Sequence, residues 1–135
     1  MIVVDASAAV EWLLQLPAAS KVAKELFASA ADLHAPHLLD VEVTQALRRS
    51  VAAGSVELSR ASGALQDFLD LPVTRHAHER MLWRIWELRD SLTAYDAAYV
   101  SLAELLGATL LTCDAKIVAA RGHRAKVKLV SANVS

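Results

Sequence analysis

Four acids, Asp5, Glu42, Asp96 and Asp114, lie far apart along this chain, and their neighbours set them apart from ordinary surface carboxylates. Asp5 directly follows the apolar run Ile2-Val3-Val4, and Asp114 is separated by the single residue Cys113 from the apolar segment Thr109 to Thr112. Neighbouring strands of a sheet lie about 4.8 Å apart, so two acids ending adjacent strands can reach one ion. Each is equally at home as the N-cap of a following helix. Asp96 sits three residues after Thr93, which permits a capping box with Asp in place of Glu or Gln. In helical geometry it also heads a face made of Tyr99, Val100 and Ala103. Glu42 has Leu38 and Ala46 four residues to either side, so it borders an apolar stripe, although a lone helical Glu is usually solvated. Gathered together, four carboxylates repel one another unless a cation neutralises them. Hard oxygen donors without accompanying His or Cys favour Mg²⁺ or Mn²⁺ over Zn²⁺. Such ions activate water and clamp phosphoryl oxygens, the chemistry of phosphodiester hydrolysis. The same crowding should raise at least one carboxyl pKa in the metal-free protein.

The elements that must position these acids follow from periodicity. Ile2 to Val4 is too short for a helix and reads as a strand. After the turn Asp5-Ala6-Ser7, a helix carries Ala8, Val10, Leu13 and Leu14. Pro17 breaks the pattern, and a second helix is expected over Ala18 to Ala30. His34-Ala35-Pro36 reads as a short extended link, Leu38 to Ala53 as a helix closed by Gly54, and Ser59 to Leu71 as another. Pro72-Val73-Thr74 is extended. His78 to Arg89 has the spacing of an amphipathic helix, Thr93 opens one that runs to Leu106, and strands are expected at Thr109 to Thr112 and Val127 to Val130. Short strands alternating with helices predict an α/β fold, three layers deep, with a central parallel sheet of four to five short strands. In such sheets ligands bind beyond the carboxyl ends of the strands, where Asp5 and Asp114 fall.

Composition narrows the class. The 135 residues are 55% hydrophobic and 21% charged, enough for one packed domain spanning 1–135 and incompatible with disorder. A net charge of −1 argues against a simple basic nucleic-acid module. That balance is uneven: Ala115 to Ser135 holds five bases and no acid, which reads either as a solvated tail or as a patch that tracks phosphates. The single cysteine, Cys113, excludes an internal disulfide, points to a reducing, cytoplasmic setting and reads as a small buried hydrophobe. No apolar run is long enough to span a membrane, and Asp5 interrupts any signal-peptide core.

Other signals point away from catalysis. His76 and His78 diverge on a helix, so they do not form a metal pair. Nucleophile-elbow, Walker A and dinucleotide-binding motifs are all absent. Arg75, Arg80, Arg84 and Arg89 could contact RNA, but the acids Glu79, Glu87 and Asp90 among them favour a solvated helix face. Two rival classes remain open. A metal-dependent phosphatase of the Asp-x-Asp type would need an acid where Ser7 stands, and a non-catalytic binding module would use the acids only as caps.

Val4-Asp5-Ala6-Ser7, Leu39-Asp40-Val41-Glu42-Val43, Thr93-Ala94-Tyr95-Asp96-Ala97-Ala98-Tyr99-Val100 and Leu111-Thr112-Cys113-Asp114 together resemble a PIN-domain ribonuclease, and more narrowly the VapC toxins of toxin–antitoxin pairs. The resemblance implies an α/β/α fold and an acidic Mg²⁺ or Mn²⁺ site that cleaves single-stranded RNA. The family's acidic positions fall on Asp5, Glu42, Asp96 and Asp114. Asp5, Asp96 and Asp114 are expected to hold the ion most directly, with Glu42 acting through water. Its hydroxyl positions fall on Ser7 and Thr112, where a hydroxyl holds a carboxylate or a metal-bound water. It also implies a homodimer and a cognate VapB-type antitoxin lying in a groove formed by the second and third helices. Trp12, Leu13, Leu16, Leu26 and Phe27 could present an apolar face to that partner, or simply belong to the core.

Overall fold

Residues 1–132 are described by a computed structural model. Five strands, β1 (Ile2–Val4), β2 (Leu33–Pro36), β3 (Val73–His76), β4 (Thr109–Thr112) and β5 (Lys126–Leu129), pair in parallel in the order β3-β2-β1-β4-β5. Seven helices complete the three layers: α1 (Ala6–Leu13), α2 (Ala19–Leu26), α3 (Leu38–Ala52), α4 (Leu58–Asp70), α5 (Leu82–Glu87), α6 (Ala94–Leu106) and α7 (Ala115–Ala119). A single 3₁₀ turn, Glu79–Met81, precedes α5.

The inner strands are apolar because helices cover them. Val3, Val4, Leu110 and Leu111 are all at most 1% exposed, as a strand buried on both faces requires. The edge strand β5 instead exposes Lys126, Lys128 and Leu129, and edge lysines discourage pairing with other chains. Helix α6 packs on β1, β2 and β4 and is buried without interruption from Ala97 to Ala103, which its small residues permit. Helices α1 to α4 pack on one another, and α1 and α3 reach β4 and β2. Leu110 is fully buried in a central strand. Leu110→Ala is expected to cost about 2–5 kcal/mol of stability, read as a lower urea midpoint with an unchanged slope.

The chain order of the strands creates the feature that matters for function. From β1 the chain moves outward through β2 and β3, then crosses back to place β4 on the other side of β1. A crevice opens where connections diverge in this way, at the carboxyl ends of β1 and β4. The register pairs Val4 with Leu111, and the Asp5 N–H donates to the Leu111 carbonyl at 3.2 Å, so Asp5 and Thr112 end adjacent strands.

Several expectations are corrected. Helix α2 ends at Leu26 rather than Ala30, because the chain turns after Phe27 and Ala30 adopts a left-handed φ of 65°. The expected helix from His78 to Arg89 is broken into the 3₁₀ turn and the six-residue α5. Only Met81 and Leu88 of this stretch are buried, so little packing holds a longer helix in place. The basic stretch from Ala115 onward is not a solvated tail: it folds as α7 and β5, and Lys128 pairs with Glu25. Its last residues, 133–135, lie outside the described residues. Gly107 closes α6 at φ 63°, as its position in the sequence predicts.

Candidate functional site

Asp5 stands at the centre of the crevice, 4% exposed. Its Oδ1 accepts the Ala8 N–H at 3.0 Å and the Ser7 hydroxyl at 2.7 Å, and its Oδ2 accepts the Thr112 hydroxyl at 2.5 Å. The Ser7 oxygen accepts the Cys113 N–H, and the Thr112 oxygen accepts the Asp114 N–H, each at 2.9 Å. A hydroxyl has one proton to donate, and both are directed at Asp5. In this geometry Ser7 and Thr112 therefore hold a carboxylate. Burial pushes the Asp5 carboxyl up to about 6 despite these donors, with a smaller push from Asp96.

Asp96 is half-buried in the first turn of α6, where its N–H donates to the Thr93 hydroxyl at 3.2 Å. Its carboxyl is raised by burial first and by the charge of Asp114 second. Asp114 caps α7 by accepting the Lys116 N–H at 2.9 Å on Oδ1, while Lys116 Nζ stands 3.8 Å from Oδ2. Capping and clustering are thus compatible roles: a cap occupies one oxygen of a carboxylate and leaves capacity on the other.

Glu42 reaches the same place from α3. Its Oε1 accepts the Tyr99 hydroxyl at 2.5 Å, tying α3 to α6. Tyr99 is 2% exposed, and burial followed by the Glu42 hydrogen bond raises its phenol pKa, so it remains a donor. Helical spacing puts Tyr99 on the Asp96 face but assigns it no role. Its position three residues beyond a candidate acid is the one signal that the sequence carries. Tyr99→Phe is expected to destabilise the protein by about 1–3 kcal/mol, since Glu42 loses its donor, and chemical denaturation reads this directly.

Asp5, Glu42, Asp96 and Asp114 all line one cavity of about 580 Å³. Glu11, Ala46, Arg49, Cys113 and Lys116 line it too, and no local pattern singles these out. Among the described residues, no three His, Cys, Asp or Glu side chains already form a closed ligand set. Cys113 is half-buried at the cavity wall and not a core residue. Burial, Glu11 and Asp5 push its thiol up to about 11, which keeps it protonated and unreactive at neutral pH.

The remaining sequence candidates are structural. His76 Nε2 lies 2.9 Å from His34 Nδ1, and His78 accepts the Leu38 N–H at 3.0 Å, so the two histidines serve different contacts. Arg75 pairs with Asp40, Arg84 with Glu104 and Glu87, and Arg89 lies over the Trp86 ring. Of the apolar residues near the second helix, Leu13 and Leu26 are core, whereas Leu16 and Phe27 are exposed and Trp12 meets Phe27 edge to face.

Known proteins are similar to this chain in sequence and in fold. A family model described as the PIN domain matches residues 2–122. Ribonuclease VapC12 of Mycobacterium tuberculosis is 41% identical over 131 residues, covering 97% of this chain and 100% of that protein. Ribonuclease VapC9 of the same species is 44% identical over 117 residues, covering 87% of this chain and 88% of its own. Among solved structures, VapBC2 from Rickettsia felis, bound to a DNA fragment from its promoter, superposes with a TM-score of 0.72 at 16% identity, over 97% of this chain and 100% of that one. At that identity the likeness concerns the fold.

Proposed function

The chain belongs to the PIN domain family, and from that premise we propose that it is a ribonuclease toxin, a metal-dependent endoribonuclease that hydrolyses single-stranded RNA and is neutralised by a cognate VapB-type antitoxin. The observation that carries this reading is the convergence of Asp5, Glu42, Asp96 and Asp114 on one cavity at the point where the sheet connections diverge. The donor set fits a hard divalent cation. Carboxylate oxygens dominate the cavity, burial and mutual repulsion raise Asp5 and Asp96, and both effects are relieved by positive charge. Mg²⁺ retains several waters and uses few carboxylates, so it does not need the closed ligand set that these side chains lack. Asp5, Asp96 and Asp114 would hold it, with Mn²⁺ as the alternative ion. When bound, such an ion supplies Lewis acidity, making water nucleophilic near neutral pH and offsetting charge that develops on the phosphoryl oxygens.

The chain's own residues do the positioning. Ser7 and Thr112 fix both oxygens of Asp5, and Tyr99 fixes one oxygen of Glu42, leaving the other to orient a water or take its proton. The test is incubation of a fluorescent single-stranded RNA with wild-type and Asp96→Asn protein in Mg²⁺ or EDTA. Cleavage by wild type in Mg²⁺ alone supports the reading. Cleavage that survives Asp96→Asn, or hydrolysis of small phosphate esters in place of RNA, refutes it.

The same reading includes a cytoplasmic homodimer. The dimer is supported by an exposed apolar face at α5, where Trp83 is 80% and Trp86 59% exposed beside Leu82, and where Glu79 and Arg89 contribute opposite charges to the same surface. An apolar surface that carries both an acid and a base can complement itself across a two-fold axis. Trp83→Glu is expected to give a monomer in light scattering, and a wild-type monomer at micromolar concentration would remove this part of the reading. Among the described residues no helix is long and apolar enough to cross a membrane.

A further inference from the structure

We propose that Arg49 binds the phosphodiester backbone of the RNA beside the scissile bond, as a positioning residue of the site; this rests on the ribonuclease reading above. Glu42, Ala46 and Arg49 occupy positions i, i+4 and i+7 of α3, and all three line the acidic cavity. Seven residues of helix advance roughly 10 Å, so one face of α3 runs from a candidate catalytic acid, past a small side chain, to a guanidinium. Between them Ala46 presents only a methyl group, so no large side chain separates the acid from the guanidinium on this wall of the cavity.

Charge explains why a cation is needed there. The cavity is lined by Asp5, Glu11, Glu42, Asp96 and Asp114 against only Arg49 and Lys116, so it repels a polyanion. Lys116 already faces Asp114 at 3.8 Å. Arg49 is exposed and makes no side-chain hydrogen bond or ion pair among the described residues, whereas Arg75 and Arg84 are both engaged by carboxylates. An unengaged guanidinium on the wall of an acidic cavity offers a planar set of donors to the two free oxygens of a phosphate. The simpler alternative is that Arg49 only complements the carbonyl end of α3, whose last turn it occupies. That role predicts a small loss of thermal stability and no effect on RNA.

The experiment compares wild type, Arg49→Gln, Arg49→Lys and Arg48→Gln. Arg48 is the adjacent residue, on a different face and outside the acidic cavity. Binding of a labelled single-stranded RNA is followed by anisotropy in Ca²⁺ across a salt series, with cleavage measured separately in Mg²⁺. Arg49→Gln is expected to weaken binding about tenfold and to flatten the slope of log affinity against log salt by about 0.7, the loss of one phosphate contact on a single strand. KM should rise to match with kcat nearly unchanged, Arg49→Lys should recover most of the affinity, and Arg48→Gln should resemble wild type. Unchanged affinity in Arg49→Gln overturns the proposal, as does weaker binding with an unchanged salt slope or an equal loss in Arg48→Gln. If wild type binds RNA without cleaving it, the ribonuclease reading fails while the salt slope still decides the role of Arg49.

Discussion

Asp5→Asn protein is expected to lose at least about 10³-fold in RNA cleavage and at the same time to become more stable than wild type in EDTA at pH 7.5. The first effect follows from removing a negative ligand whose contribution through a divalent cation is several kcal/mol. The second follows from the burial that raises its carboxyl to about 6 from an ordinary value of 3.8. A carboxyl raised in the folded state binds its proton more tightly there than in the unfolded chain. Its stabilising contribution is therefore complete below about pH 4 and is lost as pH rises through about 6. The loss amounts to about 3 kcal/mol. Thermal melts of metal-free wild type should show this decline between pH 4 and 6.5, and Asp5→Asn should flatten it. A variant that melts lower than wild type at pH 7.5 with an unchanged pH profile would contradict this account of Asp5.

Divalent cations should restore what burial removes. At pH 7.5, Mn²⁺ at 100 times its dissociation constant stabilises the folded state by about 2.7 kcal/mol, which for a chain of this size is a rise of about 8–10 °C in Tm. The rise should shrink toward pH 5, because the Asp5 carboxyl, raised to about 6, is then largely protonated and protons compete with the ion, and the upward shift of Asp96 acts in the same direction. Asp96→Asn should show little of it at any pH. An equal rise in Asp96→Asn would place the ion elsewhere on the molecule.

Much of the site is legible in the order of the residues. A β-branched apolar run followed by an acid announces a strand end, and Thr93 with Asp96 announces a helix start; both features are local and need no distant partner. Residue chemistry thus marks Asp5, Asp96 and Asp114 as acids at element ends, whereas Glu42 carries no such mark and its place beside them comes from the resemblance to PIN-domain ribonucleases. The role of Tyr99 cannot be read in this way, since it depends on α3 and α6 passing within hydrogen-bonding distance at residues 57 apart in the chain. Arg49 and Lys116 are equally hidden, because a charge on a helix carries no mark of the cavity it faces.

What the sequence determined by itself was most of the elements and the hard, acidic chemistry at several of their ends, since helix caps, strand runs and ligand types are properties of a few neighbouring residues. The tertiary structure alone decided that β4 lies beside β1, which brings Asp5, Thr112 and Asp114 to one crevice. It also decided that His78 to Arg89 would not hold a full helix, that Ala115–Ala119 would form α7, and that the strand expected near Val127 would take the edge of the sheet. Strand order and helix length depend on which apolar surfaces can be buried together. That balance is struck across the whole chain, and no short window of residues contains it.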